Sequence, residues 1–290
     1  MKIKKSPGDI VLDAFIYIVL FLILIATFYP MWYVVAASFT TTSELLMNKG
    51  LFLWPENFTA NAYALVFQDE LIVSGFLNSI KLLVLALPIN IVMTLMCGYF
   101  MACKGMKLKK PIINMILFTM FFGGGLIPNY LNVTGLGLGD TIWALILPGA
   151  MSVYNCIICK TAIEAIPESL SESAYIDGAS DIQVMFRIIM PLLKATLAVL
   201  LLYYGVGHWN NWFSASIYLK SNEQLPIQNI LRALLMENVI SEAAGGDYFN
   251  SYAESIKYAA IIVSTVPILC VYPFLQKYFV KGVMIGAVKG

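Results

Sequence analysis

Residues 208–212 place two tryptophans and two asparagines beside the only histidine of the chain. An indole ring covers the apolar C–H face of a pyranose, and a carboxamide both donates to and accepts from hydroxyl groups. Tyr204, His208 and Asn211 recur at i, i+4 and i+7, so one helical face carries three hydrogen-bonding side chains. The pattern predicts a sugar path formed by Tyr204, His208, Trp209, Asn210, Asn211 and Trp212. The alternative is that the tryptophans anchor the chain at a membrane surface.

Two further amides, Asn90 and Asn155, lie within apolar runs. A polar side chain at that depth marks either a solute pathway or a hydrogen bond between helices. Both residues are therefore secondary candidates for the path, and an interhelical hydrogen bond is the alternative.

Other chemistry lacks its usual residues. Cys156 and Cys159 form a C-x-x-C pair with no second pair and no neighbouring histidine, so we interpret them as packing residues and predict no metal site. The glycine run at 123–125 lacks the lysine that contacts phosphate in a nucleotide-binding loop. The sequence therefore does not indicate an enzyme.

The composition indicates a polytopic all-α membrane protein. Hydrophobic residues make up 60% of the 290 residues, charged residues 12%, and the mean hydropathy is +0.79. The formal net charge of +1 gives no reason to expect nucleic acid as a partner. Runs of about 20 apolar residues, long enough to cross a bilayer, predict six spans that begin near Val11, Phe76, Pro111, Thr141, Leu192 and Tyr258.

The distribution of cations predicts that both termini are cytoplasmic, because cytoplasmic loops carry an excess of Lys and Arg. On this side lie 13 of the 18 cations: Lys2, Lys4, Lys5, Lys104, Lys107, Lys109, Lys110, Lys160, Arg187, Lys194, Lys277, Lys281 and Lys289. The other five are Lys49, Lys81, Lys220, Arg232 and Lys257. External loops then occupy about 38–73 and 220–256. In the second of these, residues 225–235 predict an amphipathic helix that starts at a proline.

A polar segment, residues 172–191, separates the fourth and fifth predicted spans. Gly178 permits a bend, and Ser180 or Asp181 can cap a second short helix that ends as Pro191 opens the fifth span. Ala174, Tyr175, Ile176, Ala179 and Val184 form a compact apolar ridge, with Glu172, Asp177 and Asp181 as its rim. This surface suits a groove on another protein. An ordinary solvated connector is the alternative.

The same segment resembles the cytoplasmic signature of the membrane permeases of ATP-binding-cassette importers, which reads Glu-Ala-Ala, three residues, Gly, nine residues, Ile-x-Leu-Pro. Here it reads Glu172-Ser173-Ala174, Gly178 and Ile188-Ile189-Met190-Pro191, with Ser173 in place of alanine and Met190 in place of leucine. Residues 136–137, 141–148 and 278–282 resemble the carbohydrate-uptake branch, and the likeness extends over nearly the whole chain.

The resemblance implies one type I importer transmembrane domain over residues 1–290, with a cytoplasmic coupling-helix loop at about 161–190 between spans four and five. It implies that Glu172 pairs with a basic group of the ATPase and that Gly178 allows the bend. The implied docking residues are Glu172, Ser173, Ala174, Tyr175, Asp177, Gly178 and Ala179.

The partners that the resemblance implies are a second homologous permease, two copies of a cytoplasmic ABC ATPase and an extracellular or periplasmic solute-binding protein. The chain itself would bind no cofactor, because ATP and Mg²⁺ belong to the ATPase. It would lie among the lipids of the bacterial cytoplasmic (inner) membrane as a multi-pass protein.

The expected function is therefore that of a permease half, which imports a carbohydrate such as an oligosaccharide or a polysaccharide-derived fragment by alternating access. An importer permease for a non-sugar solute is one alternative, since the docking motif reports the ATPase and not the cargo. A membrane-embedded transferase is another, but the loops hold only scattered Asp and Glu without a His or Cys partner.

Overall fold

The computed structural model describes residues 7–48, 50–105, 107–243 and 253–287, with backbone alone at 237–243, 253, 272 and 274–287. Regular secondary structure in these residues is helical throughout, in agreement with the predicted all-α class. Lys2, Lys4, Lys5, Lys49 and Lys289, which entered the orientation argument, lie outside the described residues.

The helices follow one another with short connections. In chain order they are α1 Pro7–Ser38, α2 Thr42–Met47, α3 Asn61–Gln68, α4 Glu70–Ala102, α5 Lys109–Phe121, α6 Leu126–Gly135, α7 Trp143–Ile146, α8 Val153–Glu164, α9 Glu168–Ile176, α10 Asp181–Gln183, a π-helix Val184–Ile189, α11 Met190–Leu192, α12 Lys194–Asn210, α13 Trp212–Tyr218, a 3₁₀ turn Asn222–Gln224, α14 Ile227–Ala243 and α15 Ala253–Ala287. The predicted amphipathic helix at 225–235 is confirmed as the first part of α14.

Three helices of the described chain are long and apolar enough to cross a membrane: Pro7–Ser38, Glu70–Ala102 and Glu254–Val271 within α15. Two further spans result if each bent helix pair counts as one. The first pair, α5 and α6, bends by 113°, and the second, Asp181–Leu192 and α12, bends by 87°. The described residues thus give three to five spans by length and composition, against the six predicted.

The prediction of a continuous fourth span from Thr141 is wrong. The four-residue α7 ends at Ile146, and the 12-residue α8 begins only at Val153. Pro148 in the intervening segment has no N–H to donate, and the side chain of Ser152 caps the new helix by accepting from the N–H of Asn155. The chain is therefore interrupted where its hydropathy alone suggested one helix.

The fifth predicted span also starts later than expected. Pro191 lies within α11, and the chain turns at Leu193 before α12 begins at Lys194. A proline near the start of a helix is tolerated because its missing N–H has no partner there. The sharp bend therefore follows Pro191 by two residues.

The chain divides into two compact units, Met1–Ile72 with Leu231–Thr265 and Val73–Ile230 with Val266–Gly290. In the first, the hydroxyls of Ser38 and Tyr63 lie 2.8 Å apart, and those of Thr42 and Ser255 lie 3.2 Å apart. These bonds connect α1 to α3 and α2 to α15.

The second unit contains two buried clusters, each built around α4. One includes Leu95, Cys159, Ala174, Val184 and Leu200, so it joins α4 to α8, α9, the π-helix and α12. α4 and α8 approach each other closely at Gly98, where an added Cβ would come within 2.9 Å of the Cys159 side chain. The other cluster joins α4 to α6, α7 and α13 through Leu82, Ala86, Val133, Ala144, Leu145, Ile146 and Ala215.

Candidate functional site

The predicted bend after α9 is confirmed, and Gly178 forms it. Gly178 has a φ of +82°, in the left-handed region that residues with a Cβ rarely occupy. The Gly178 N–H donates to the Tyr175 carbonyl at 3.0 Å, and the Ala179 N–H donates to the Ala174 carbonyl at 2.9 Å. This pair of bonds is a Schellman motif, with Ala179 packed near the buried Ala174.

The second short helix begins at a capping box, as the sequence suggested for Ser180. The Ser180 hydroxyl accepts from the N–H of Gln183, and the Gln183 side chain accepts from the N–H of Ser180 at 2.9 Å. The residues of the turn therefore supply hydrogen-bond partners for backbone groups at both helix ends next to it. The turn is a defined corner rather than an open loop.

Tyr175 connects this corner to α4. Its hydroxyl lies 2.9 Å from the hydroxyl of Tyr99 and donates to Asp181 at 2.7 Å. The bond with Tyr99 lowers the pKa of Tyr175, but the bond to Asp181 and burial together outweigh it, so this pKa lies above its usual value. Tyr175 is therefore a protonated donor at neutral pH.

An open groove of about 810 Å³ lies beside the corner. Lys104 forms an ion pair with Glu168 across it, and Glu172 and Asp181 are among the acidic residues that line it. The pKa of Lys104 is raised, first by its hydrogen bond and ion pair with Glu168 and further by Glu172. This acidic lining suits a basic side chain of a partner.

The predicted apolar ridge does not form as a docking surface. Ala174 and Val184 are buried and Ala179 is partly buried against the chain's own core. The most exposed apolar side chains here are Ile176, which is 87% exposed, and Ile182, which is 68% exposed. Among the predicted docking residues, the exposed positions are Glu172, Ser173, Tyr175, Asp177 and Gly178.

The second candidate region is a hydrogen-bond network between α4 and α12. The Asn90 side-chain N–H₂ donates to the carbonyls of Gly149 at 3.0 Å and Ala150 at 2.9 Å. This arrangement leaves Asn90 Oδ1 to accept from Nε2 of His208 at 2.9 Å, so that ring nitrogen carries the proton. Asn90 therefore forms the interhelical bond that was the alternative to a pathway role.

Tyr204 lies one turn before His208 and bonds the same interrupted segment. Its hydroxyl accepts from the Ser152 N–H at 2.9 Å and lies 2.6 Å from the Thr94 hydroxyl. Asn90 and Tyr204 together hold residues 149–152, the break between α7 and α8, against α4 and α12.

Four of the predicted path residues line one open groove of about 870 Å³: Asn155, Tyr204, His208 and Asn211. A second cavity of about 650 Å³ shares Gly149, His208 and Asn211 with it. Amides, hydroxyls and an imidazole are the polar groups of both linings. Such groups both donate to and accept from the hydroxyls of a solute.

The structure places the other three residues of the 208–212 segment away from these cavities. Trp209 is buried with its ring edge-on to Phe76, with centroids 5.8 Å apart. The Asn210 side chain donates to the Val206 carbonyl of its own helix, and Trp212 stacks edge-on with Phe213. A single helical face cannot present five consecutive residues, so the segment divides between path and packing.

Sequence reasoning missed Asn129 and Asn132 of α6, which line the second cavity. They stand three residues apart in an apolar run, a spacing that puts both amides on one helical face. This spacing was the available signal. In the described part of the chain, no group of three or more His, Cys, Asp and Glu is placed to hold a metal ion.

The model of the family described as binding-protein-dependent transport system inner membrane component matches residues 5–285. Protein LplC of Bacillus subtilis (strain 168) is 40% identical over 266 residues, which cover 91% of this chain and 90% of LplC. The polygalacturonan/rhamnogalacturonan transport system permease protein YtcP of the same organism is 36% identical, over 96% of this chain and 98% of YtcP.

Among solved structures, a chain of a bacterial ABC transporter involved in the import of the acidic polysaccharide alginate superposes with a TM-score of 0.88 and 29% identity. The match covers 96% of this chain and 100% of that one. A chain of the alginate transporter in complex with a pentasaccharide-bound periplasmic protein has a TM-score of 0.55 and 19% identity, a likeness of fold alone.

Proposed function

Since this chain belongs to the binding-protein-dependent transport system inner membrane components, we propose that it forms one half of the pore of an ATP-driven importer for oligosaccharides derived from polysaccharides. It is a transport permease of the inner membrane and not an enzyme. The complete importer would contain a second homologous permease, two copies of a cytoplasmic ATPase and a solute-binding protein on the outer side. ATP and Mg²⁺ would bind the ATPase.

The groove lined by Asn155, Tyr204, His208 and Asn211 is the observation that carries the choice of cargo. Its uncharged hydrogen-bonding groups suit sugar hydroxyls, and the phenol ring of Tyr203, which is 43% exposed and lines the same groove, suits the apolar face of a pyranose. The name of the YtcP relative refers to polygalacturonan and rhamnogalacturonan, and the 29% identical chain belongs to an alginate importer. Both relatives support a cargo built from sugar units.

The corner at Gly178 would dock on the ATPase. Glu172 would pair with a basic group, and the exposed Ile176 and Ile182 would enter an apolar part of the ATPase surface. Because Ala174 packs into the cluster that also holds α4, α8 and α12, a displacement of α9 would carry these helices with it. Closure of the ATPase dimer would thereby change the side on which the cavity opens.

Six membrane spans remain part of the proposal, with the fourth made of the interrupted α7 and α8. Asn90 and Tyr204 support this arrangement, because they satisfy backbone groups of the break that would otherwise lie unpaired at membrane depth. The cation count supports cytoplasmic termini. It places the Gly178 corner on the same side as the ATPase.

Deletion and complementation at the native locus test the cargo. The deletion strain and its complemented derivative would be given labelled oligogalacturonides, rhamnogalacturonan fragments and alginate oligosaccharides, with a labelled amino acid and a labelled dipeptide as comparators. We expect uptake of at least one oligosaccharide to be lost and then restored by the plasmid. Loss confined to the amino acid or the dipeptide would assign a different cargo.

A further inference from the structure

The second cavity is lined by two asparagines that the predicted sugar path does not include. Asn129 and Asn132 of α6 face it, together with Asn211 between α12 and α13 and with Phe213 and Ser214 of α13. Resting on the proposed function, we infer that Asn129, Asn132 and Asn211 form a second subsite, which binds the hydroxyls of a sugar unit next to the one in the first groove.

The orientation of α6 follows from the chain before it. The glycine run at 123–125 ends α5, and Gly125, with a φ of +84°, precedes a helix that bends away by 113°. Val133 and Leu136 line the same cavity as the two asparagines, so the i, i+3, i+4 and i+7 face of α6 points into it. The bend therefore directs the amide-bearing face of α6 toward a cavity.

The two amides are available to a solute. In the described residues, the side chains of Asn129 and Asn132 have no hydrogen-bond partner, whereas those of Asn90 and Asn229 are bonded. Both residues are exposed, so their amide groups are open to a solute in the cavity. A solute that brings hydroxyl groups would supply these partners during transport.

Asn211 keeps capacity for a ligand despite its own bonds. Its Oδ1 accepts from the Ser214 N–H at 3.2 Å, and its Nδ2 donates to the Ser214 hydroxyl at 3.1 Å. An amide oxygen has two lone pairs and an amide nitrogen two protons, so one acceptor site and one donor remain. Ser214 thereby fixes the orientation of Asn211 without saturating it.

An apolar surface completes the subsite. The Phe213 ring is 48% exposed and lines the same cavity. An aromatic face beside several amides matches the two kinds of surface on a pyranose, which has apolar C–H faces and a hydroxyl edge. Because Gly149, His208 and Asn211 border both cavities, adjacent units of one oligosaccharide can occupy the two subsites.

The test compares Asn129→Leu and Asn132→Leu with Asn210→Leu. Leucine has the same branching and the same number of side-chain heavy atoms as asparagine but makes no hydrogen bond, and Asn210 is an exposed amide outside both cavities. Each variant would replace the native chain in its own strain. The measured quantity is the maximal uptake rate of whichever labelled oligogalacturonide, rhamnogalacturonan fragment or alginate oligosaccharide the wild type accumulates.

We expect each cavity variant to lower the maximal rate about fivefold, the effect of one lost hydrogen bond. The half-saturating concentration should stay unchanged because the separate binding protein sets it. The Asn210→Leu rate should stay within about twofold of the wild type. The amount of chain in the membrane, measured by immunoblot, separates a slower rate from poor insertion.

Two results would overturn the subsite while leaving the proposed function intact. One is a rate for both cavity variants equal to that of Asn210→Leu. The other is loss of the second permease when either variant is purified in mild detergent, which would show that the amides face a neighbouring helix. A wild type that accumulates none of the three oligosaccharides would instead remove the proposed cargo, and the subsite with it.

Discussion

The hydroxyl of Tyr175, on α9, lies 2.9 Å from the hydroxyl of Tyr99, in the last turn of α4. This contact links the Gly178 corner directly to a helix long enough to cross the membrane. Because the same Tyr175 hydroxyl donates to Asp181, one side chain connects α4 to the helices on both sides of Gly178. A displacement of the corner can therefore be transmitted to α4 through these hydrogen bonds as well as through the apolar cluster.

Tyr175→Phe removes this link while keeping the ring. We expect the free energy of unfolding to fall by about 1–2 kcal/mol, because the change removes two hydrogen bonds, with Tyr99 and Asp181, and each contributes about 1 kcal/mol. The number of ATP molecules hydrolysed per solute imported should rise, since the corner would move with less effect on α4. Tyr17→Phe, at an exposed position of α1, is the matched control. An unchanged ratio in reconstituted vesicles would argue against Tyr175 as a coupling residue.

Gly178→Ala should distort the corner. A side chain at a φ of +82° costs about 1–2 kcal/mol in the left-handed region. We expect a lower unfolding temperature in detergent and slower uptake. Gly135→Ala is the control, because a Cβ there meets no atom within 4 Å and Gly135 has no positive φ. Equal unfolding temperatures for the two variants would contradict this account of the bend.

Asn90→Leu tests the hydrogen bonds that hold the break between α7 and α8. The change removes three hydrogen bonds and leaves the carbonyls of Gly149 and Ala150 without this donor. We expect a loss of about 2 kcal/mol in stability, since side-chain bonds within membranes contribute modestly and buried unpaired carbonyls add to the cost. Thermal unfolding in detergent measures it, with Asn210→Leu as the control. Equal stability of the two proteins would show that the break is held by packing alone.

Trp209 should act in packing rather than in transport. Trp209→Phe retains an aromatic ring against Phe76, so the maximal uptake rate should remain within about twofold of the wild type. Trp209→Ala should instead lower stability by about 3–5 kcal/mol, as for other large aromatic truncations in cores. Uptake rates and unfolding curves of both variants distinguish the roles. A normal fold with a strongly reduced rate in Trp209→Phe would return this residue to the sugar path.

Local chemistry made the corner predictable from the sequence. Glycine adopts a positive φ easily because it has no Cβ, as Gly178 does here. Ser180 with Gln183 three residues later is the sequence pattern of a capping box. The side that each apolar residue faces was not predictable. An apolar residue such as Ala174 or Val184 looks the same in the sequence whether it contacts a partner or, as here, the core of its own chain.

The break between α7 and α8 shows what hydropathy alone does not predict. An average over about 20 residues does not register that Pro148 lacks a donor or that Asn90 donates a hydrogen bond to Gly149, which follows it by 59 residues. Likewise, the spacing of Tyr204, His208 and Asn211 predicted one shared face. The position of Trp209 away from this face follows from the packing of α4 against α12, which the spacing does not reveal.

The most direct test of the account is affinity purification of the chain, tagged at its native locus, in mild detergent, with mass identification of the retained proteins. It would be done for the wild type, for Glu172→Lys and for Glu223→Lys, which makes the same charge change on the side proposed to be external. We predict that the wild type and Glu223→Lys retain a second permease and an ATPase, and that Glu172→Lys retains the permease but loses the ATPase. A wild-type chain purified without any ATPase, or a Glu172→Lys chain that retains it fully, would contradict the proposed docking.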